Sequence, residues 1–357
     1  MPRLRRTHPG QPGFTRRRRG RGWSYHDVHG ERITDPAVRD RIDALVIPPA
    51  WRDVWITPFP NGHLQAVGTD ARGRRQYLYH AAWQSNRDRL KHQRVLRLGA
   101  ALPQARSVAL EHLEQPRFSH ERALAIAFRL LDRGYFRIGA AAYVQANGSY
   151  GLSTLLRDHV RRRGSILIFE YVAKSGVNRV ERIDDPLLVD LVGELARRRG
   201  VTPEELLAYR TRAGWHCLGG EEINEYVRAV TRLDVSAKDF RTWHGTVLGS
   251  VALAEEELAH DEAAWNERTR NRAIGRAVAA VAENLGNTPL GVPTLVRQSP
   301  GDRPVPVRVT IERTIRRLTG GSTEVLVNDP AADHARRIAA LGAEPAVERA
   351  VLRMLRD

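Results

Sequence analysis

The hydrophobic and polar positions of this chain follow two different periods. From about residue 47 to residue 79, short β-rich runs are separated by Pro and Gly turns, which predicts a small sheet-containing domain. Residues 81–98 are basic and helical in pattern. From about residue 105 onward, apolar residues recur at helical spacing. The change of period predicts an α+β protein with a domain boundary near residues 98 to 108.

Two helix boundaries are marked by capping signals. Gly286 provides a left-handed C-cap for a helix that ends at Leu285, so Asn287 lies just beyond a helix end. Thr202-Pro-Glu-Glu205 combines an N-cap, a proline at the first helical position and a capping-box glutamate, which predicts that Leu206 and Leu207 begin a new helix. Residues 346–355 and 331–341 also have amphipathic helical patterns.

A strand-like interruption lies within the helical part. The β-rich runs 165–172 and 178–182 flank Ala173-Lys174-Ser175-Gly176, a pattern that predicts a hairpin with Lys174 near its tip.

Four polar residues are candidates for chemistry, and each has an ordinary explanation when it is taken alone. Arg137 interrupts an apolar stretch and Lys174 sits at a hairpin tip, where such side chains usually reach solvent. Arg241 follows a plain N-capped helix start at Ser236, although helix-terminal amides beside a guanidinium also suit a phosphate. Asn287 alone is most simply a loop residue.

Charge and composition narrow the classes of partner. The chain has 57 Lys+Arg against 41 Asp+Glu, a net charge of +16, so nucleic acid is the expected partner. With 357 residues and 42% apolar content, two or three domains are expected. Residues 1–22 contain an arginine run, Arg16 to Arg19, and are predicted to be a basic flexible arm.

Location is constrained by what the sequence lacks. The single cysteine, Cys217, excludes an internal disulfide, and neither a signal peptide nor an apolar run of membrane-spanning length is evident. We therefore expect an intracellular protein with no membrane partner.

Eight short motifs, taken together, resemble the compact viral and bacterial branch of the type IB DNA topoisomerases. The resemblance extends from about Gly20 to Pro289. The motifs are Ile47-Pro-Pro-Ala-Trp51, Gly62-His-Leu-Gln-Ala66, Arg75-Gln-Tyr-Leu-Tyr79-His80, Phe136-Arg-Ile-Gly139, Asn147-Gly-Ser-Tyr-Gly-Leu152, Lys174-Ser-Gly176, Lys238-Asp-Phe-Arg-Thr-Trp243 and Leu285-Gly-Asn-Thr-Pro289.

The resemblance implies a C-shaped clamp that closes around duplex DNA. It implies a β-rich DNA-binding domain over 23–100 and a mostly helical catalytic domain over 101–357, the latter similar to that of tyrosine recombinases. The protein would act as a monomer, without ATP, a metal or another cofactor, in the bacterial cytoplasm at the nucleoid. No Walker motif or clustered acidic metal site is present in the sequence, in keeping with that expectation.

The resemblance also implies roles for individual residues. Arg137 and Arg241 would hold the oxygens of the scissile phosphate, Asn287 would donate a further hydrogen bond, and Lys174 would protonate the departing 5′ oxygen. In the N-terminal domain Gln76, Tyr77 and Tyr79 match the strand that contacts the major groove and the DNA backbone. A buried aromatic strand face explains either tyrosine equally well.

Two positions depart from the family pattern. Ala173 replaces the glycine that usually precedes the hairpin lysine. Val296 occupies the position of the nucleophilic tyrosine, nine residues after Asn287, and no tyrosine follows Tyr226. Valine cannot attack phosphorus.

A local frameshift explains the valine. Reading one nucleotide downstream, the codons for Val296 and Arg297 permit a tyrosine, and the neighbouring codons permit the Ser-Tyr-hydrophobic-x-Pro pattern of the family. The written segment 290–308 is rich in proline and loop-like, and we treat it as anomalous. The original frame would resume before Thr310.

The sequence therefore predicts a type IB topoisomerase that relaxes supercoiled DNA through a 3′-phosphotyrosyl intermediate, with its nucleophile missing as written. The alternative is a catalytically inactive duplex-DNA-binding protein of the same fold. A site-specific tyrosine recombinase fits less well, because the N-terminal half matches the topoisomerase strand motifs.

Overall fold

A computed structural model describes residues 3–199, 203–258, 266–286 and 345–356. The chain divides into two compact units, Met1–Lys91 and His92–Asp357. The division falls inside one continuous helix, α2 (Ala81–Leu113), rather than at the boundary between residues 100 and 101 that the sequence predicted. The helical pattern of 81–98 continues without a break through Leu113, so local sequence does not mark the division.

The first unit is built on a five-stranded antiparallel sheet with one helix, α1 (Pro36–Ala44). Its strands are β1 (Phe14–Arg19), β2 (Gly22–His26), β3 (Arg52–Ile56), β4 (Leu64–Thr69) and β5 (Arg75–Tyr79). Their order across the sheet is β2-β1-β3-β4-β5, which places β5 at an edge. The buried core of the unit consists of Ile42, Ile47, Val54, Ile56 and Ala66.

The prediction of a flexible arm over 1–22 is wrong from Arg5 onward. The main-chain nitrogen of Arg5 donates to the carbonyl of Asn61 (2.9 Å), and the arginine run is a strand. β1 pairs with both β2 and β3. Arg16 donates from its guanidinium to the carbonyls of Ile47 (3.1 Å), Pro48 (3.0 Å) and Trp51 (2.8 Å). Successive side chains of a strand point to opposite faces. Arg16 therefore points inward, where it binds main-chain carbonyls, while the arginines beside it are exposed to solvent.

Over its described residues the second unit is mostly helical and carries two small sheets. Its helices are the remainder of α2, α3 (His120–Gly134), α4 (Ala141–Asn147), α5 (Pro186–Ala196), α6 (Gly220–Thr231), α7 (Ala237–Leu258), α8 (Glu267–Leu285) and α9 (Pro345–Arg356). A three-stranded sheet contains β6 (Val160–Arg163), β7 (Ile166–Ala173) and β8 (Val177–Asp184), and β9 (Ala208–Thr211) pairs with β10 (Gly214–Cys217). The mixed α/β architecture agrees with the predicted fold class.

One large core holds the helical unit together. Its largest fully buried side chains include Phe128, Phe136, Phe169, Phe240 and Trp243. Phe128 and Phe240 meet edge to face at 5.5 Å, which joins α3 to α7. Among the described helices, none is both long and apolar enough to cross a membrane.

The C-terminal helix α9 docks through a buried polar network. Arg106 donates to both carboxyl oxygens of Glu348 (2.5 and 2.9 Å) and to both of Asp132 (2.8 and 2.9 Å), and Trp243 Nε1 donates to Glu348. Burial acts to lower the pKa of Arg106, but Glu348 and Asp132 outweigh burial and raise it. The helix predicted at 346–355 is thus confirmed, whereas 331–341 lies outside the described residues.

The helix predicted to begin after Thr202 is wrong. Leu206 and Leu207 are fully buried in non-helical backbone, and Leu206 N donates to Leu155 O (2.6 Å). The buried guanidinium of Arg198 binds the carbonyls of Leu206 and Pro203, among others. Those long-range contacts supply the hydrogen bonds that a local capping pattern would otherwise have supplied.

Candidate active site

Arg137 lies in an extended segment that follows α3. Tyr135 ends the helix in the left-handed conformation (φ 53°), and the main chain of Arg137 accepts a hydrogen bond from Leu152 N (2.8 Å). A Cβ on Gly151 would lie 2.7 Å from the Arg137 carbonyl and 2.5 Å from Gly139 N, so only glycine permits this approach. Two of the motifs recognised in the sequence are therefore packed against each other, and they fix the half-buried Arg137.

Arg241 projects from the first turns of α7. Its guanidinium donates to the carbonyl of Tyr135 and to the carbonyl of Leu285 (2.6 Å). Burial, and after it the nearby cations Arg137 and Arg179, lower the pKa of Arg241 to about 9. Arg137 and Arg241 therefore lie close enough to repel each other, and an anion bound between them would relieve that repulsion.

The lysine hairpin forms as predicted. β7 and β8 pair from Ile166↔Asp184 to Ala173↔Val177, and Lys174 is exposed in the connecting turn. Ser175 adopts φ 69° there, whereas Ala173 has an extended backbone with φ −92°. Because that conformation suits any residue, alanine replaces the usual glycine without strain.

Tyr171 and Arg179 link the hairpin to the two arginines. They are direct partners across the strands, and both side chains lie on the inward face. Burial, and after it Glu181, raise the pKa of the Tyr171 phenol to about 12 against the opposing effect of three arginines, Arg179, Arg241 and Arg137. The phenol and three guanidinium groups thus share one neighbourhood.

Arg179 and Arg241 also bind the end of helix α8. Arg179 donates to the carbonyls of Glu283 (3.1 Å) and Asn284, the carbonyls that precede the Leu285 oxygen held by Arg241. Cations at a helix C-terminus satisfy its unpaired carbonyls and complement its dipole. The last described residue of this segment, Gly286, has φ 57° as the predicted C-cap requires.

Part of the predicted site lies beyond Gly286. Asn287, Val296 and the anomalous segment 290–308 lie outside the described residues. Within the described residues, the structure brings Arg137 and Arg241 together. Lys174 is exposed at the tip of the hairpin whose Tyr171 and Arg179 lie near these two arginines.

A buried carboxylate partly balances the positive charge. Glu181 Oε2 lies 2.5 Å from Arg179 Nη2, without the alignment of a hydrogen bond. Burial raises the pKa of Glu181 to about 7, although Arg179 and Arg241 favour its ionised form. The carboxyl group therefore titrates near neutral pH inside a cluster of arginines.

Sequence reasoning missed Tyr171, Arg179 and Glu181. A signal was available, because residues 179, 181 and 183 alternate on the inward face of β8 and two of them are charged. A charged residue on the buried face of a strand indicates a partner in the core.

In the first unit, the candidate DNA-contacting strand is the edge strand β5. The rings of Tyr77 and Tyr79 stack at 6.3 Å on one face, and Tyr77 is 49% exposed. Gln76 is half-buried on the other face, which also carries Leu78 against the core. Tyr77 is therefore not the buried aromatic residue that was the alternative explanation.

Comparison with known proteins assigns the family. Residues 22–70 match the N-terminal domain of bacterial DNA topoisomerase IB. Residues 80–298, more than half of the chain, match the catalytic core of eukaryotic DNA topoisomerase I. The chain belongs to the type IB DNA topoisomerases.

A viral relative supports this family membership. The DNA topoisomerase 1B of Acanthamoeba polyphaga mimivirus is 24% identical over 266 residues, which cover 74% of this chain and 78% of the relative. The family match over 80–298 includes Arg137, Lys174, Arg241 and the position of Val296. In the described ranges of this topoisomerase, no group of three or more His, Cys, Asp or Glu side chains is arranged to hold a metal ion.

Proposed function

We propose that this topoisomerase holds duplex DNA and binds the phosphate to be cleaved between Arg137 and Arg241. The position of the two guanidinium groups carries the proposal, because Arg241 donates to the carbonyl of Tyr135, two residues before Arg137. In keeping with that position, burial together with Arg137 and Arg179 lowers the pKa of Arg241 to about 9. A phosphodiester would supply compensating negative charge, and its oxygens accept hydrogen bonds from guanidinium N–H donors. Arg241 has five such donors, and its bonds to the two carbonyls use two of them.

The exposed Lys174 would provide the proton in this scheme. In the shifted reading, the tyrosine at position 296 would lose its phenol proton to water as its oxygen forms a bond to phosphorus. The bond to the 5′ oxygen breaks, and that oxygen takes a proton from the ammonium group. Arg137 and Arg241 neutralise charge on the non-bridging oxygens, and Asn287 donates one more hydrogen bond. The scheme needs neither ATP nor a metal ion.

Further features follow from the family and complete the proposal. The two units would close around the duplex as a C-shaped clamp, with a catalytic unit similar to that of tyrosine recombinases, and one monomer would suffice. Gln76, Tyr77 and Tyr79 on the edge strand would contact the DNA. In a bacterial cell such a protein would act at the nucleoid.

Val296 favours a second candidate for the chain as written. Without a phenol at this position the phosphate pocket offers charge stabilisation but no nucleophile. The written protein would then be a catalytically inactive member of the family that binds duplex DNA.

Duplex binding tests the part that both candidates share. Because most contacts go to phosphates, we expect little dependence on overall sequence and a decrease in affinity on the order of 1,000-fold between 50 and 200 mM salt. Arg137→Ala should also reduce the slope against salt by about one. The matched control is Arg349→Ala, an exposed arginine on α9.

Filter binding at several salt concentrations measures both quantities. An affinity that does not respond to salt would exclude the DNA clamp. Equal slopes for Arg137→Ala and the control would exclude Arg137 from the phosphate contacts.

A further inference from the structure

The turn between β4 and β5 is organised around Asp70. Its Oδ1 accepts hydrogen bonds from the main-chain nitrogens of Arg72 and Arg74, both at 2.9 Å. Its Oδ2 accepts from the Arg74 guanidinium, with Nε at 2.9 Å and Nη2 at 2.8 Å, and from Gln76 Nε2 at 2.9 Å. The main-chain hydrogen bond from Arg74 is the largest of the contacts that lower the pKa of Asp70 to about 2.

This contact determines which way the Gln76 amide faces. An ionised carboxylate only accepts hydrogen bonds, so Gln76 must turn its nitrogen toward Asp70. One hydrogen of that nitrogen is used by Asp70. The other hydrogen and the carbonyl Oε1 remain for a ligand, one as a donor and one as an acceptor.

We propose that Asp70 is a specificity-determining positioning residue, which fixes the polarity of the Gln76 amide on the DNA-binding edge strand. The inference rests on the proposed function, because it requires duplex DNA to reach β5. An adjacent donor and acceptor match the N7 acceptor and N6 donor of adenine in the major groove. Guanine displays two acceptors there, so the orientation set by Asp70 disfavours guanine.

Chemically altered duplexes test the contact with the full-length protein as written. Three duplexes share one mixed sequence: an unmodified duplex, one in which 7-deazaadenine replaces every adenine, and one in which 7-deazaguanine replaces every guanine. Each replacement removes only the N7 acceptor. We expect the adenine replacement to weaken binding by the unsubstituted protein roughly fivefold and the guanine replacement to leave it unchanged.

Asp70→Asn gives the decisive result. The Oδ1 acceptor of the turn is retained, but a donor replaces Oδ2. The Arg74 guanidinium then loses its acceptor and turns to solvent, and the Gln76 amide must rotate and direct its nitrogen outward. The affinity of Asp70→Asn should then be weakened by the guanine replacement and no longer by the adenine replacement. Gln76→Ala, which leaves the turn intact, should be insensitive to both replacements.

Asp27→Asn is the matched control. Asp27 Oδ1 accepts from the main-chain nitrogens of His29 (2.9 Å) and Glu31 (2.8 Å) in a similar turn, but it holds no glutamine. This variant should bind the three duplexes as the unsubstituted protein does.

The two possible failures are distinguishable. Loss of salt-dependent binding to unmodified DNA would overturn the proposed function. Two other results would overturn the role of Asp70 alone. In the first, the unsubstituted protein shows salt-dependent binding that the adenine replacement does not weaken. In the second, Asp70→Asn or Gln76→Ala is still weakened by the adenine replacement.

Discussion

Arg106 and Glu348, 242 positions apart in the chain, form a buried ion pair with Nη1 and Oε2 at 2.5 Å. The pair joins helix α2 to the C-terminal helix α9, and Trp243 donates to the same carboxylate. A segment read in the wrong frame has no reason to supply a carboxylate where the core presents a buried guanidinium. The contact therefore supports the view that the frame of the core is in use again by residue 345.

Glu348→Gln should destabilise the protein by about 3 kcal/mol, since it leaves Arg106 without one of its two buried negative partners. Urea unfolding measures the free energy of unfolding. The control is Arg349→Gln, an exposed neighbour on the same helix, which should stay within about 0.5 kcal/mol of the unsubstituted protein. Equal stability of the two variants would show that the ion pair does not hold α9 in place.

The chain as written should neither relax supercoiled plasmid DNA nor form a covalent adduct, because Val296 offers no oxygen. Restoring only Val296→Tyr should fail as well, since the surrounding prolines prevent the helix that would aim a phenol at the phosphate. The prolines are Pro293, Pro300, Pro304 and Pro306. Replacing 290–308 with the shifted reading should restore relaxation in the presence of a metal chelator.

Plasmid relaxation by the three proteins separates the explanations. Activity of the written chain would contradict the argument from the missing phenol. A folded but inactive segment-restored protein would contradict the frameshift.

Arg179→Ala should loosen the end of helix α8, because it removes donors from the carbonyls of Glu283 and Asn284. Hydrogen bonds to a charged donor are worth about 1.5 to 3 kcal/mol. Hydrogen exchange in peptides covering residues 279–286 should therefore become at least about tenfold faster. Arg182→Ala, at an exposed position on the same strand, should leave this exchange unchanged. Equal protection in both variants would show that Arg179 does not stabilise the end of α8.

Stability should depend on pH through Glu181. Its pKa is about 7 in the folded protein against an ordinary value of 4.5, so the native state binds the proton more tightly. The resulting stabilisation is fully present below about pH 4.5 and is lost as the pH rises through 7. Its size is on the order of 3 kcal/mol.

Glu181→Gln isolates this contribution because the glutamine is neutral at every pH. The difference in unfolding free energy between the unsubstituted protein and the variant should therefore decline from pH 5 to pH 8. Glu170→Gln, an exposed carboxylate on the same hairpin, is the control. A difference that stays constant over this range would contradict the raised pKa.

The sequence by itself determined the features that depend on local chemistry. Alternation and turn residues specified the hairpin around Lys174, and a helix-spaced stripe followed by glycine specified the end of α8 at Gly286. Motif order along the chain was sufficient for the family. The hairpin and the helix end are each specified within a few residues, where backbone preference and burial pattern act together.

Only the tertiary structure decided which main-chain carbonyls the inward-facing arginines bind. Arg198 binds the backbone after Pro203, which is non-helical despite a strong capping pattern. Arg16 binds carbonyls of the first unit, so that a run predicted to be a solvated arm is a strand. Arg179 reaches the end of α8 from a strand about a hundred positions earlier. Such contacts depend on which carbonyl acceptors the folded chain brings within reach of each guanidinium. No local backbone propensity encodes the distance between these groups.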